Sequence, residues 1–210
     1  MDSTETLEGR ILAANTKLTA ADYVHLHNHT QYSLLDGLTK VPSLIDDVRK
    51  TGMEAVAMTD HGTLSGVIEF YKEAAAAGIK PIIGMETYIA ARTHLDKDPA
   101  KDKPNFHLIL LAMNNKGYQN LMRLSTIANL EGFYYKPRID HHLLEEYNEG
   151  LIALSGCIGG EVGDLLRNDQ YDEAKKSRHG TRVCLATVTT WRYRTMVTRS
   201  IPACGWSKKR

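Results

Sequence analysis

No stretch of this sequence approaches the roughly 18 consecutive apolar residues that a membrane-spanning helix needs. The acidic, polar start "MDSTETLEGR" has no apolar core of the kind a secretory signal carries. Both absences point to a cytoplasmic protein without a membrane partner. Cysteine is scarce: Cys157, Cys184 and Cys204 are the three present, and their spacing builds no disulfide framework. One cysteine remains available to a metal. Acid is missing from one region altogether. Residues 177–210 hold 8 of the 26 Lys and Arg and no Asp or Glu, which leaves 18 basic against 25 acidic residues, a net of −7, in 1–176. The net charge of +1 therefore joins two unlike segments.

Strand-like and helix-like segments alternate along the acidic part. "YVHLHN", "EAVAMTD", "PIIGMETYIAA", "FHLILLAM" and "GLIALSG" read as strands. "VPSLIDDVRKTG" reads as a helix with Leu44, Ile45 and Val48 on one face and Gly52 as its stop. "LSGVIEFYKEAAAAGIK" and "KGYQNLMRLSTIAN" are further helices, and Asp140 is a natural cap for "DHHLLEEYN". This alternation predicts an α/β fold with a mainly parallel sheet covered by helices, a barrel or a barrel-like open sheet. "RTHLDKDPAKDKPN" reads as a surface loop. Three regions are expected: a lead-in over 1–21, an ordered domain over 22–176, and a tail over 177–210. The tail shows no sustained period and is rich in Thr and Arg. It reads either as a basic arm for nucleic acid or, preferably, as the product of a shifted reading frame.

Chemistry-bearing residues fall into five clusters: "HLHNHT", "MTDHGT" with Asp60 and His61, "IIGMETY" with Glu86, "NFHLILL" with His107, and "LIALSGC" with Cys157. Parallel α/β architectures gather functional groups at the C-terminal ends of strands. The first, second and fifth clusters obey that rule; Glu86 and His107 lie within or before their strands. Imidazole, carboxylate and thiolate together suit zinc, with manganese an alternative at oxygen-rich positions. A bound ion supplies hydroxide near neutral pH, and hydrolysis of a phosphate ester is the natural chemistry. Singly, each residue has a plainer role. His107 could be a hydrogen-bonded core histidine, Glu86 could pair with a base, Cys157 could be a small core residue and Asp60 a helix cap. Their succession on consecutive strands favours a site. Lys136 and Arg138, beside Tyr134 and Tyr135 in "YYKPRID", could meet a phosphate backbone or stack on a base, or form a packed corner.

The segments "HLHNHTQYSLLDG", "AMTDHGTLSGVIEFYKEA", "GIKPIIGMETYIA", "FHLILLA", "GYQNLMRLS", "EGFYYKPRID" and "GLIALSGCIGGEV" resemble the N-terminal polymerase and histidinol phosphatase (PHP) domain of bacterial DNA polymerase III alpha subunits. The likeness extends from about Asp22 to Lys176. It implies a distorted seven-stranded β/α barrel with up to three metal ions, zinc or manganese. By motif the implied ligands are His27, His29, Asp36, His61, Glu86, His107 and Cys157. Asp60 is implied as an orienting neighbour of His61, and His25 is outside the main ligand set. The family's complete proteins are DNA-directed DNA polymerases, which work with DNA and other replicase subunits and use magnesium at a separate polymerase site. Some members add metal-dependent 3′–5′ exonuclease or pyrophosphatase-type phosphoesterase activity. The family's closing Asp-x-His motif has no counterpart on a strand after Lys176. The barrel is therefore expected to be incomplete, and two expected ligands are missing. A stand-alone histidinol-phosphatase-type hydrolase, which needs the complete ligand set, and a non-catalytic structural module are the alternatives.

Overall fold

A computed structural model describes residues 19–156 and 159–184. After a short turn at Ala20–Asp22, helix α1 (Val41–Thr51) leads into strand β1 (Ala55–Met58), then α2 (Val67–Ala76) and the long strand β2 (Lys80–Ala90). Strand β3 (Asn105–Ala112), helix α3 (Asn115–Leu130), the two-residue β4 (Arg138–Ile139) and α4 (His141–Glu146) follow. The described chain closes with β5 (Leu151–Leu154), α5 (Glu161–Arg167) and α6 (Tyr171–Cys184).

Local chemistry sets the helix limits. Pro42 sits in the first turn of α1, where its missing N–H costs nothing, and Gly52 ends the helix in the left-handed region at φ 79°. Val41, Ile45 and Val48, at helical spacing, are the buried face of α1. The Asn114 side-chain Oδ1 accepts from Gly117 N to start α3, and the Asp140 carboxylate accepts from Leu143 N to start α4.

The sheet is mixed, which corrects the expectation of a mainly parallel one. Its order is β1-β2-β3-β5, with β4 on β2. β1 and β4 run parallel to β2, but β3 is antiparallel to β2, and β5 is antiparallel to β3. The five strands do not close into a barrel among the described residues. An apolar run buried on both faces carries no sign of its direction, so "FHLILLAM" could not announce that it runs backwards. Alternation shows in the packing. Leu108 and Leu110 join α3 and α4 on one side, while Ile109 and Leu111 pack with Leu26 and Ala57 on the other. A further core lies where α1 and α2 cover β1.

The segment His25–Thr30 lies along β1 but forms only a bridge, His25 to Val56, rather than the full strand expected. Helix α6 runs through Lys176, where the sequence changes character, and on to Cys184. Residues 1–18 and 185–210 lie outside the described residues. Among the described residues, no helix is long and apolar enough to cross a membrane.

Candidate metal centre

β2 has an interrupted edge. β1 pairs with its first half, up to Ile83, and β4 with Tyr88 and Ile89. His61 fills the gap between them: Gly62 N donates to Glu86 O, and Glu86 N donates to Asp60 O, at 2.9 and 3.1 Å. The Gly62 carbonyl is held from behind by Ser125 and Asn129 of α3. Gly62 itself has φ 62°, and a Cβ there would lie 2.4 Å from Pro137 Cγ, so glycine is required on both counts. Glu86 and Tyr88 share the sheet face opposite to Met85 and Ile89. Because β3 is antiparallel, its beginning lies beside the end of β2, and His107 stands opposite Tyr88. The strand-end rule thus holds in space for the parallel strands, while the reversed strand contributes its start.

Six of the seven residues expected as ligands converge here. Glu86, 1% exposed, is the hub. Its Oε2 lies 2.5 Å from His27 Nε2 and 2.8 Å from His29 Nε2, and its Oε1 lies 2.7 Å from His107 Nδ1. The two Nε2 atoms of His27 and His29 are themselves 2.9 Å apart. Asp36 Oδ2 stands 3.3 Å from His29 Nδ1 and 3.5 Å from His61 Nε2. These atoms form three overlapping triads: His27, His29 and Glu86; His29, Asp36 and His61; His61, Glu86 and His107. Cys157 lies outside the described residues. His25 stands apart, its ring against Tyr23. The chain's literal Asp-x-His, Asp140 to His142, is elsewhere, since Asp140 caps α4 and pairs with His94 Nδ1 at 2.5 Å.

The donor types suit a cation. Ligands on a tetrahedron with bonds of about 2.1 Å lie roughly 3.4 Å apart; the two Asp36 distances, 3.3 and 3.5 Å, match that spacing, whereas Glu86 is in direct contact with His27, His29 and His107. Among the described residues, His61 Nδ1 is buried without a hydrogen-bond partner, an arrangement that costs stability unless something else meets the nitrogen. Burial raises the Glu86 carboxyl, but contacts from His107, His27 and His29 outweigh it and hold the group far below the usual carboxylate range. The contact with Glu86 raises His29, against the effect of burial. Burial lowers His61, keeping its imidazole neutral and its lone pair free. Burial, then the nearby Glu86, pushes the Tyr88 hydroxyl up to about 12.

Two expectations need correction. Asp60 does not orient the His61 ring. Its carboxylate accepts from Thr30 N at 2.6 Å and Thr30 Oγ1 at 2.8 Å, and so ties the histidine segment to the end of β1. Arg138 cannot meet DNA, because it is 0% exposed. Its guanidinium donates to the carbonyls of Gly132, His94, Asp96 and Asp102. Lys136 is exposed, and its Nζ lies 5.4 Å from the centre of the Tyr88 ring. Sequence reasoning missed Ser33, whose buried hydroxyl accepts from His61 N at 3.1 Å and lies 3.2 Å from His29 Nδ1. It also missed Tyr88, whose ring stacks on His61 at 5.3 Å and 14°. Neither residue type marks a metal site by itself, although Tyr88 lies two residues from Glu86 on the same face.

The PHP domain family model matches residues 25–181. This chain belongs to the PHP domain family. It is 51% identical over 154 residues to the DNA polymerase III subunit alpha of Borreliella burgdorferi, covering 73% of this chain and 13% of that protein. The subunit of the same name from Thermus aquaticus is 53% identical over 157 residues, with the same two shares. That from Aquifex aeolicus is 54% identical over 145 residues, covering 66% of this chain and 12% of the relative. The chain thus spans about an eighth of the length of these relatives. A solved structure described as a candidate metal-dependent phosphoesterase from Bifidobacterium adolescentis is a distant likeness, with TM-score 0.43 and 14% identity over 73% of each chain.

Proposed function

We propose that this PHP domain is a metal-dependent phosphoesterase module of a replicative DNA polymerase alpha subunit, acting on the 3′ end of a DNA strand. The supporting observation is the set of three donor triads that share His29, His61 and Glu86 at one end of the sheet. His27, His29 and Glu86 would hold one zinc or manganese ion, with Asp36, His61 and His107 extending the site to as many as three. A bound ion supplies a nucleophilic hydroxide at neutral pH and neutralises charge on a phosphate. The protein's own part is placement. Asp60 fixes the histidine segment through Thr30, Ser33 fixes His61 and His29, and the ring of Tyr88 covers one face of His61. Template-directed synthesis, with its magnesium site, DNA and replicase partners, belongs in this reading to the longer polymerase.

The buried His61 Nδ1, which has no hydrogen-bond partner among the described residues, favours a second reading, a non-catalytic module that metal stabilises. Release of nucleotides from 3′-labelled single-stranded DNA separates the two. Hydrolysis that depends on zinc or manganese and is abolished by His27→Ala with His29→Ala supports the enzyme. A metal-loaded, folded protein with no hydrolysis supports the module. A folded protein that takes up no metal overturns both.

A further inference from the structure

Residues 133–136 form a tight turn whose features exceed what packing requires. Tyr134 N donates to Lys136 O at 3.1 Å, and Tyr135, at the apex, has φ 59°, a left-handed conformation unusual for a residue with a side chain. The turn is fastened at both sides. Pro137 sits against Gly62, next to His61, and Arg138 pairs with Tyr88 in register and is buried behind the turn. Yet the tip is open: Phe133 is 51% exposed and Tyr135 70%. The rings of Tyr134 and Tyr135 meet edge to face at 4.6 Å. Among the described residues Lys136 has no carboxylate partner, and its ammonium stands over Tyr88, whose ring stacks on His61. Nζ can therefore be no farther from the His61 ring than the distances of 5.4 and 5.3 Å laid end to end.

A turn fastened on both sides that offers aromatic faces, and a cation with no carboxylate partner among the described residues, beside a phosphoesterase site has the chemistry that holds a single strand. Aromatic rings take bases by stacking, and a cation takes a backbone phosphate. We infer that Lys136 binds a phosphate adjacent to the one held at the metal centre, while Tyr135, with Phe133, stacks on a base of the same single strand. This rests on the reading of the centre as a phosphoesterase acting on DNA, and it names the elements that select a strand over a small phosphate ester. The net charge of −7 over residues 1–176 provides no general attraction, so binding depends on this local pairing.

The test is fluorescence anisotropy of the full chain, loaded with zinc, titrated with a labelled twelve-nucleotide oligothymidylate whose linkages are phosphorothioate to resist cleavage. Lys136→Met keeps the apolar stem over Tyr88, and Tyr135→Asn tolerates the left-handed apex. Metal content and melting temperature, unchanged in both, show that the centre and fold survive. Lys136→Met is expected to lower the slope of log affinity against log salt by about one, with recovery in Lys136→Arg. Tyr135→Asn is expected to weaken oligothymidylate binding about tenfold and to leave an abasic strand of equal length unaffected. Equal affinity and equal salt slope in wild type and both variants overturn the inference, as does a wild type that binds abasic and thymidylate strands alike. Because the readout is binding, wild type that binds but never hydrolyses refutes the phosphoesterase reading alone. Wild type that hydrolyses while both variants bind normally refutes this inference alone.

Discussion

Two buried charges, Glu86 on β2 and Arg138 on the adjoining β4, are treated in opposite ways. Arg138 is sealed, and its guanidinium is consumed by carbonyls from Gly132, His94, Asp96 and Asp102. All four acceptors are fixed backbone groups, so nothing about Arg138 is exchangeable. Glu86 is equally buried, but it is surrounded by His27, His29 and His107, groups that can give up a proton and offer a lone pair. Beside it, His61 Nδ1 has no hydrogen-bond partner among the described residues and stands 3.8 Å from Glu86 Oε2. A buried charge with permanent partners is architecture; a buried charge ringed by imidazoles, beside an orphan ring nitrogen, is a candidate binding site.

Breaking the architectural side should have the larger effect. Arg138→Met leaves four carbonyls without their donor and removes the pin between the loop at 92–102 and the turn before β4. Urea denaturation should show a loss of about 3–5 kcal/mol, while the fraction that remains folded binds as much zinc as wild type. Metal lost in proportion to Arg138 substitution, with no loss of stability, would reverse the assignment. Glu86→Gln tests the other side. Zinc affinity should fall more than about 100-fold by competition with a chelator, and the metal-free protein should still fold. An unchanged affinity would remove Glu86 from the centre.

An ion pair distant from both, His141 with Glu161, gives the smallest effect and shows what an ordinary partly exposed pair contributes. His141 Nε2 lies 3.0 Å from Glu161 Oε2, which also accepts from Ser177 Oγ at 2.6 Å. Contact with Glu161 raises His141 above its ordinary 6.5. Burial raises the Glu161 carboxyl, but its bonds from His141 and Ser177 prevail and hold it below its ordinary 4.5. His141 contributes stability that is fully present below about pH 6.5 and is lost as pH rises through its raised value. Glu161 contributes stability that is present above about pH 4.5 and is lost as pH falls through its lowered value. The pair therefore matters most between those limits. In melts with chelator present, Glu161→Gln should differ from wild type by less than about 1 kcal/mol, most near pH 5.5 and least near pH 8. A gap that widens toward pH 8 would contradict the pairing.

Much of the fold and of the candidate site was visible in the sequence. The strand and helix segments, the stop at Gly52 and the cap at Asp140 follow from periodicity and local hydrogen-bonding chemistry, which act within a few residues. The site residues were readable as unusual side chains in apolar strands, and His27, His29, Asp36, His61, Glu86 and His107 do come together. What stayed hidden depends on distance along the chain. The partner of Asp60 is Thr30, thirty positions earlier, and Arg138 finds carbonyls more than thirty positions earlier. Arg138 and Lys136 sit in one short motif with equal charge, and only the fold shows which is sealed and which is open. The reversed direction of β3 was hidden for the same reason, and with it the cause of His107 lying at the start of its strand.

The central claim is that Glu86 anchors a metal centre at the end of the sheet. Crystals of the chain grown with zinc, with diffraction data collected on both sides of the zinc absorption edge, locate the ions directly. The account predicts anomalous peaks bonded to His27, His29 and Glu86 and among His61, Asp36 and His107, absent in Glu86→Gln. A well-ordered protein with no anomalous peak among these residues, or with zinc held instead at His94 and Asp140, would contradict it.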